Sequence, residues 1–118
     1  MAVTKLSGDG KQHGYVQCTV VSGTTKSTVA DLEGYGDIGL MMPVTSSGTT
    51  FSFEVSNLRD GDYYPLVTAA NVVSTVSGGT GEVAIASLYG SGFPYRYVKV
   101  VLDYTPTTAT VFTFCVKA

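Results

Sequence analysis

Residues 49–56 read TTFSFEVS. Phe51, Phe53 and Val55 fall on one side of an extended chain, and Thr50, Ser52 and Glu54 fall on the other. A period of two over this length marks a strand with one face buried and one face wet. A helix would scatter the same residues around its circumference. The stretch therefore commits the chain to a sheet whose apolar face must be covered by a second layer.

The same pattern recurs along the chain. YVQCTVV (15–21) is the first full strand, and IGLMM (38–42) is a short apolar one closed by Pro43. YRYVKVVLDY (95–104) places Arg96, Val98, Val100 and Leu102 on one face and Tyr97, Lys99, Val101 and Asp103 on the other. ATVFTFCV (109–116) is the last strand. Between these, NVVSTV (71–76) and EVAIA (82–86) flank SGGTG (77–81), which reads as a hairpin loop. Residues 22–28 read as a turn or loop, 29–37 as irregular because of two glycines, and 87–94 as a loop. After residue 56, Asn57 to Gly61 turns the chain; Asp60-Gly61 is a hairpin-type dipeptide because glycine accepts positive φ. Tyr63 to Val67 then returns, and Pro65, which lacks an N–H, assigns this segment to a sheet edge or a strand end.

Composition supports the same architecture. The chain has 118 residues with 16 threonines, 11 serines and 14 glycines, and only 14% of its residues are charged, against about 25% in an ordinary soluble domain. Threonine, valine and tyrosine favour strands, and glycine supplies turns. About eight short strands with turn signals between them predict an all-β, jelly-roll-type β-sandwich of antiparallel strands. One domain spans 15–118. Residues 1–14, rich in glycine and poor in apolar groups, read as an extended N-terminal arm.

Several chemistries are absent from this pattern. The formal net charge is −2 and the seven basic residues are scattered, so no basic stripe exists for a phosphate backbone and no nucleic-acid partner is expected. No apolar run approaches the roughly 20 residues of a membrane-spanning helix, so no membrane partner is expected. The N-terminal MAVTKLSGDGKQHG has no secretory h-region, which predicts synthesis in the cytoplasm. His13 stands alone in a glycine-rich segment, whereas a triad needs a histidine held between nucleophile and acid. GDGK (8–11) lacks the full phosphate-loop pattern, and Asp60 and Asp62 fall short of the six or more oxygens of a calcium site. No catalytic residue, cofactor or metal is expected. Cys18 and Cys115 fit no zinc spacing. They are either two buried thiols or a disulfide between the first and last strands, and a cytoplasmic protein would keep them reduced.

Tyrosine is what remains. Tyr63, Tyr64, Tyr89, Tyr95 and Tyr97 cluster in the second half of the chain with Phe93 and Arg96. Such residues either pack at strand ends with wet hydroxyls or form an interface. Tyr63 and Tyr64 are adjacent on a strand, so at least one ring must point outward.

The pieces IGLMMP (38–43), TTFSFEVS (49–56), DGDYYPL (60–66) and FPYRYVKV (93–100), in this order and spacing, resemble the head decoration, or cement, proteins of tailed bacteriophages. The resemblance covers somewhat over half the chain and does not extend to the first 37 residues. It implies a small jelly-roll domain that binds the outer surface of a phage capsid and clamps neighbouring major capsid subunits. It also implies a homodimer or homotrimer on a local symmetry axis, a virion location, and a terminal arm reaching across the shell. On that reading the contact residues are Lys5, Lys11 and Tyr15 near the arm, and Tyr63, Tyr64, Tyr95 and Arg96 near loops or edges. The alternatives are a carbohydrate- or receptor-binding module, for which jelly rolls are also used, and another phage tail or connector component. The chain has no tryptophan to build a flat sugar platform.

Overall fold

The computed structural model describes residues 3–6, 13–35, 37–42, 50–67, 75–77, 83–85 and 94–117. Ten strands form these segments: β1 (Thr4–Leu6), β2 (His13–Val20), β3 (Ala30–Asp31), β4 (Asp37–Met42), β5 (Thr50–Ser56), β6 (Tyr64–Pro65), β7 (Thr75–Ser77), β8 (Val83–Ile85), β9 (Tyr97–Leu102) and β10 (Thr110–Lys117). There is no helix among the described residues.

The strands form two antiparallel sheets. The first has the order β1-β2-β10-β4-β8. The second has the order β3-β9-β5-β6, with β7 pairing the opposite end of β5. With β1 set aside as an added edge, and β6 and β7 taken as two halves of one strand position, this is the eight-strand order of a jelly roll. The all-β sandwich expected from the alternation is therefore the fold, with short extra edge strands that periodicity alone does not reveal.

The core follows from the alternation. Val16, Cys18, Val20, Ile38, Leu40, Phe112, Phe114 and Val116 point inward from the first sheet, and Phe51, Phe53, Val55, Val98, Val100 and Leu102 point inward from the second. Phe51 meets Phe112 at a ring-centroid distance of 5.1 Å, and Phe53 meets Phe114 at 6.1 Å. Phe51 and Phe53 also meet each other edge-on at 5.8 Å. Centroid distances of this size and tilted planes are the favoured aromatic geometry.

Four local expectations are corrected. Residues 25–31, read as loop and irregular chain, run alongside β9. Leu102 N–H donates to Thr25 O (2.8 Å), Ser27 N–H donates to Val100 O (2.9 Å), and Ala30 and Asp31 pair with Val98 and Tyr97. The Ser27 hydroxyl oxygen accepts the Val100 N–H at 2.8 Å, standing in for a backbone carbonyl. Next, Thr4–Leu6 of the expected arm is strand β1, paired with His13–Tyr15, so the boundary at residue 14 falls inside β2. The strands on either side of SGGTG do not pair with each other as a hairpin would require: β7 belongs to the second sheet and β8 to the first. Finally, Gly61 is not at positive φ. Its turn is closed by its N–H donating to Leu58 O at 3.2 Å, and a Cβ there would lie 2.8 Å from Leu58 Cβ. Crowding, not φ, requires glycine at this position. GDGK, most of SGGTG and residues 87–93 lie outside the described residues.

The two cysteines lie on neighbouring strands, β2 and β10, but on opposite faces of the sheet. Cys18 points into the core and pairs across with Phe112, whereas Cys115 pairs across with Tyr15 on the outer side. Both thiols are free, so the disulfide reading is corrected: strands adjacent in the sheet do not bring together side chains on opposite faces. Burial pushes the Cys18 thiol up to about 11, against the opposing effect of Ser27.

Two outcomes follow. Phe53→Ala should cost about 3–5 kcal/mol in urea unfolding, since Phe53 is fully buried and faces the other sheet. Cys18 should not react with a thiol reagent at pH 8 in the folded protein and should become reactive on adding denaturant. The partly exposed Cys115 should react in the native state.

Candidate functional site

The outer side of the second sheet is shaped by the loop from Asn57 to Tyr63. Ser56 starts it: Leu58 N–H donates to Ser56 Oγ (3.0 Å) and the Ser56 hydroxyl donates to Leu58 O (2.8 Å). Such a local side-chain turn is typical of serine at the end of a strand. The Gly61 N–H then closes onto Leu58 O, and the Tyr63 hydroxyl donates to Arg59 O at 2.8 Å. Leu66 N–H donates to Phe53 O (2.9 Å), returning the chain to β5.

Fixing the loop this way leaves apolar side chains in solvent. Leu58 is 71% exposed, Tyr64 66% and Val67 41%. They border a groove of about 540 Å³ at the β5–β6 edge, completed by Asp62, Leu66 and Tyr95. Single exposed apolar residues need no explanation, but several around one groove make it the candidate binding surface of the described residues.

Beside the groove lies a ridge of cations over aromatic rings. The Lys99 ammonium sits 4.3 Å from the centre of the Tyr63 ring. Two guanidiniums, Arg96 at 5.2 Å and Arg59 at 5.8 Å, flank the ring of Tyr97. These distances lie within the range of cation–π attraction. Arg96 also makes a two-pronged ion pair with buried Asp31, Nε to Oδ1 at 2.9 Å and an Nη to Oδ2 at 3.1 Å. Its backbone N–H donates to Asn57 Oδ1 (2.9 Å), tying the start of β9 to the loop.

Burial alone would raise the Asp31 carboxyl, but the Arg96 guanidinium and the Glu33 N–H outweigh it and hold Asp31 below the ordinary carboxylate value. Hydrogen bonding to Asp31 in turn raises Arg96. Burial raises the Tyr63 hydroxyl, against the influence of Arg59.

The candidate contact residues separate into groups. Tyr64 and Tyr95 line the groove together, and Tyr63 and Arg96 stand on the adjoining ridge. Neither Tyr63 nor Tyr64 belongs to the core: Tyr64 is open to solvent and Tyr63 is half-buried under Lys99. Lys5 and Tyr15 lie elsewhere, on β1 and β2 of the first sheet. Lys11 lies outside the described residues. The sequence reading overlooked Leu58, Leu66 and Val67 in the groove and Arg59 and Lys99 on the ridge. Leu58 carried a signal, being a large apolar residue inside an otherwise polar turn. Among the described residues no three or more His, Cys, Asp or Glu side chains gather where they could hold a metal ion, and no helix is long and apolar enough to cross a membrane.

No family model matches the chain, and no curated protein matches it. Among solved structures, the chain is similar to the carbohydrate-binding module CsCBM6-3 from Clostridium stercorarium, determined in complex with cellobiose. The two are 10% identical over 98% of this chain and 81% of that one, with a TM-score of 0.38. A likeness that loose carries no argument; the sandwich rests on the strand pairings described above.

The Asp31–Arg96 pair gives a pH-dependent outcome. Because the folded carboxyl lies below its unfolded value of about 3.9, its stabilisation is present above that value and is lost as pH falls through the folded one. Asp31→Asn should therefore lower stability at pH 7, and the gap to the wild type should close as pH falls through the lowered carboxyl value of the folded state, read by urea midpoints at each pH.

Proposed function

We propose that this protein is a non-enzymatic structural component of a tailed-phage virion, which binds the outer surface of the capsid and clamps neighbouring major capsid subunits. One observation carries the reading. The sequence pieces that resemble decoration proteins fall largely on neighbouring strands of one sheet: Thr50–Ser56 of TTFSFEVS is β5, DGDYYPL runs from the loop into β6, and residues 94–100 of FPYRYVKV lead into β9. The exposed groove with Leu58, Tyr64 and Tyr95 lies among them.

The physics of such a role is undemanding. A protein that binds the assembled lattice and not its free subunits stabilises the lattice by mass action. A rigid sandwich edge with a fixed loop loses little freedom on docking, so more of its contact energy appears as affinity. Self-association as a dimer or trimer on the shell would multiply weak individual contacts.

A second reading has its own observation. The groove sets Tyr64 and Tyr95 beside Asp62 and Asn57, and aromatic faces with convergent polar groups also suit a sugar ring.

Purified protein should co-sediment with expanded phage heads. Tyr64→Ala should leave urea stability within about 0.5 kcal/mol, as for most surface changes, and should weaken head binding by roughly 30-fold, the effect of losing an aromatic hot spot. Absence of the protein from sedimented heads overturns the capsid reading. Clear hits on a glycan array would favour the sugar-binding one.

A further inference from the structure

A second concavity lies on the other side of the Asn57–Tyr63 loop. It is an open trough of about 520 Å³ between residues 27–29 and the Arg59–Asp60 turn, with Lys99 on its wall. Four of the chain's seven basic residues, Lys26, Arg59, Arg96 and Lys99, lie on or beside this side of the second sheet. Two of them are neutralised locally: Lys26 pairs with Glu54 at 3.0 Å, and Arg96 pairs with Asp31. Arg59 and Lys99 have no carboxylate partner among the described residues; each is held over an aromatic ring instead. A ring face orients a cation without satisfying its N–H donors. Thr28 adds a further donor. Its Oγ1 accepts the Thr19 N–H at 3.1 Å, and its hydroxyl hydrogen has no acceptor among the described residues.

We infer that this trough binds a carboxylate from an acidic segment of a partner protein, received by the Arg59 guanidinium, the Lys99 ammonium and the Thr28 hydroxyl. The charge balance favours a monoanion. Two cations and the Asp60 carboxylate in the same trough leave one net positive charge, which suits a carboxylate better than a phosphate dianion. A polyphosphate backbone would need more cations than the two left here once Lys26 and Arg96 are paired with carboxylates. A protein segment is favoured over an acidic sugar because one loop separates the trough from the apolar groove. Leu58 faces the groove while Arg59 and Asp60 line the trough, so a segment with neighbouring apolar and acidic residues would engage both. The preference for a protein partner rests on the proposed function; the anion site itself does not.

The test uses purified, ¹⁵N-labelled full chain, titrated with the acetylated, amidated tripeptide Glu-Leu-Glu, with glucuronate and with inorganic phosphate. The peptide should give saturable amide shifts at Thr28, Arg59 and Lys99, with an affinity that falls as salt is raised. Arg59→Gln and Lys99→Gln should each weaken it about tenfold or more, the loss expected for one charge-assisted hydrogen bond. Thermal melts of both variants establish that they fold, and Thr28→Val provides a third variant that leaves every charge in place. Absence of saturable shifts at these residues, or shifts that persist unchanged in the variants, overturns the site. Tighter binding of phosphate than of peptide overturns the carboxylate assignment. Equal binding of glucuronate and peptide overturns the preference for a protein segment. No phage heads are involved, so failure of head binding and failure of this site are read separately.

Discussion

Contact between Phe51 and Phe53 of one sheet and Phe112 and Phe114 of the other holds the two layers together. A sheet with one apolar face is not stable alone in water, and each layer here supplies the cover the other needs. Both strands that carry these rings are central in their sheets. β10 lies between β2 and β4, and β5 lies between β9 and the β6 and β7 segments. The rings are thus fixed from two sides by backbone hydrogen bonds and from above by each other. In a chain of 118 residues the margin of stability is only about 5–15 kcal/mol, so a contact of this size is a large share of it.

That central brace lets the surface be built from short, polar and locally determined pieces. The loop between β5 and β6 is not packed into the core. Ser56, the Gly61 amide and the Tyr63 hydroxyl hold it through hydrogen bonds to its own backbone. The outcome is a rigid projection that separates two unlike surfaces. One is an apolar groove containing Leu58, Tyr64 and Tyr95, and the other is a cationic trough containing Arg59 and Lys99. The groove lies at the β5–β6 edge, and the trough lies toward β3 and β9.

Much of this was legible in the chain. TTFSFEVS announced β5 and its three inward residues, and the alternation in YRYVKVVLDY placed Val98, Val100 and Leu102 in the core. Pro65 marked an edge, and β6 ends the path of its sheet among the described residues. The tyrosines and Arg96 were legible as surface candidates, and Tyr64 and Tyr95 do meet in one groove. The grouping of those candidates was not legible: Lys5 and Tyr15 belong to the other sheet. The strand-like run from Thr25 to Asp31 was hidden because its backbone partners lie on β9 and one of its acceptors is the Ser27 side chain. No local propensity marks a serine that substitutes for a carbonyl.

By itself the sequence determined the class of fold, the central strands and which of their faces are buried, because a period of two is a local property and water acts on each strand separately. The tertiary structure decided what lies against what. It placed β7 and β8 in different sheets and set the two cysteines on opposite faces of one sheet. It brought Asp31 to Arg96 across 65 residues of chain, and it left Arg59 and Lys99 in no ion pair among the described residues. Those outcomes depend on which strand becomes a neighbour, and that choice is made by the packing of the whole core.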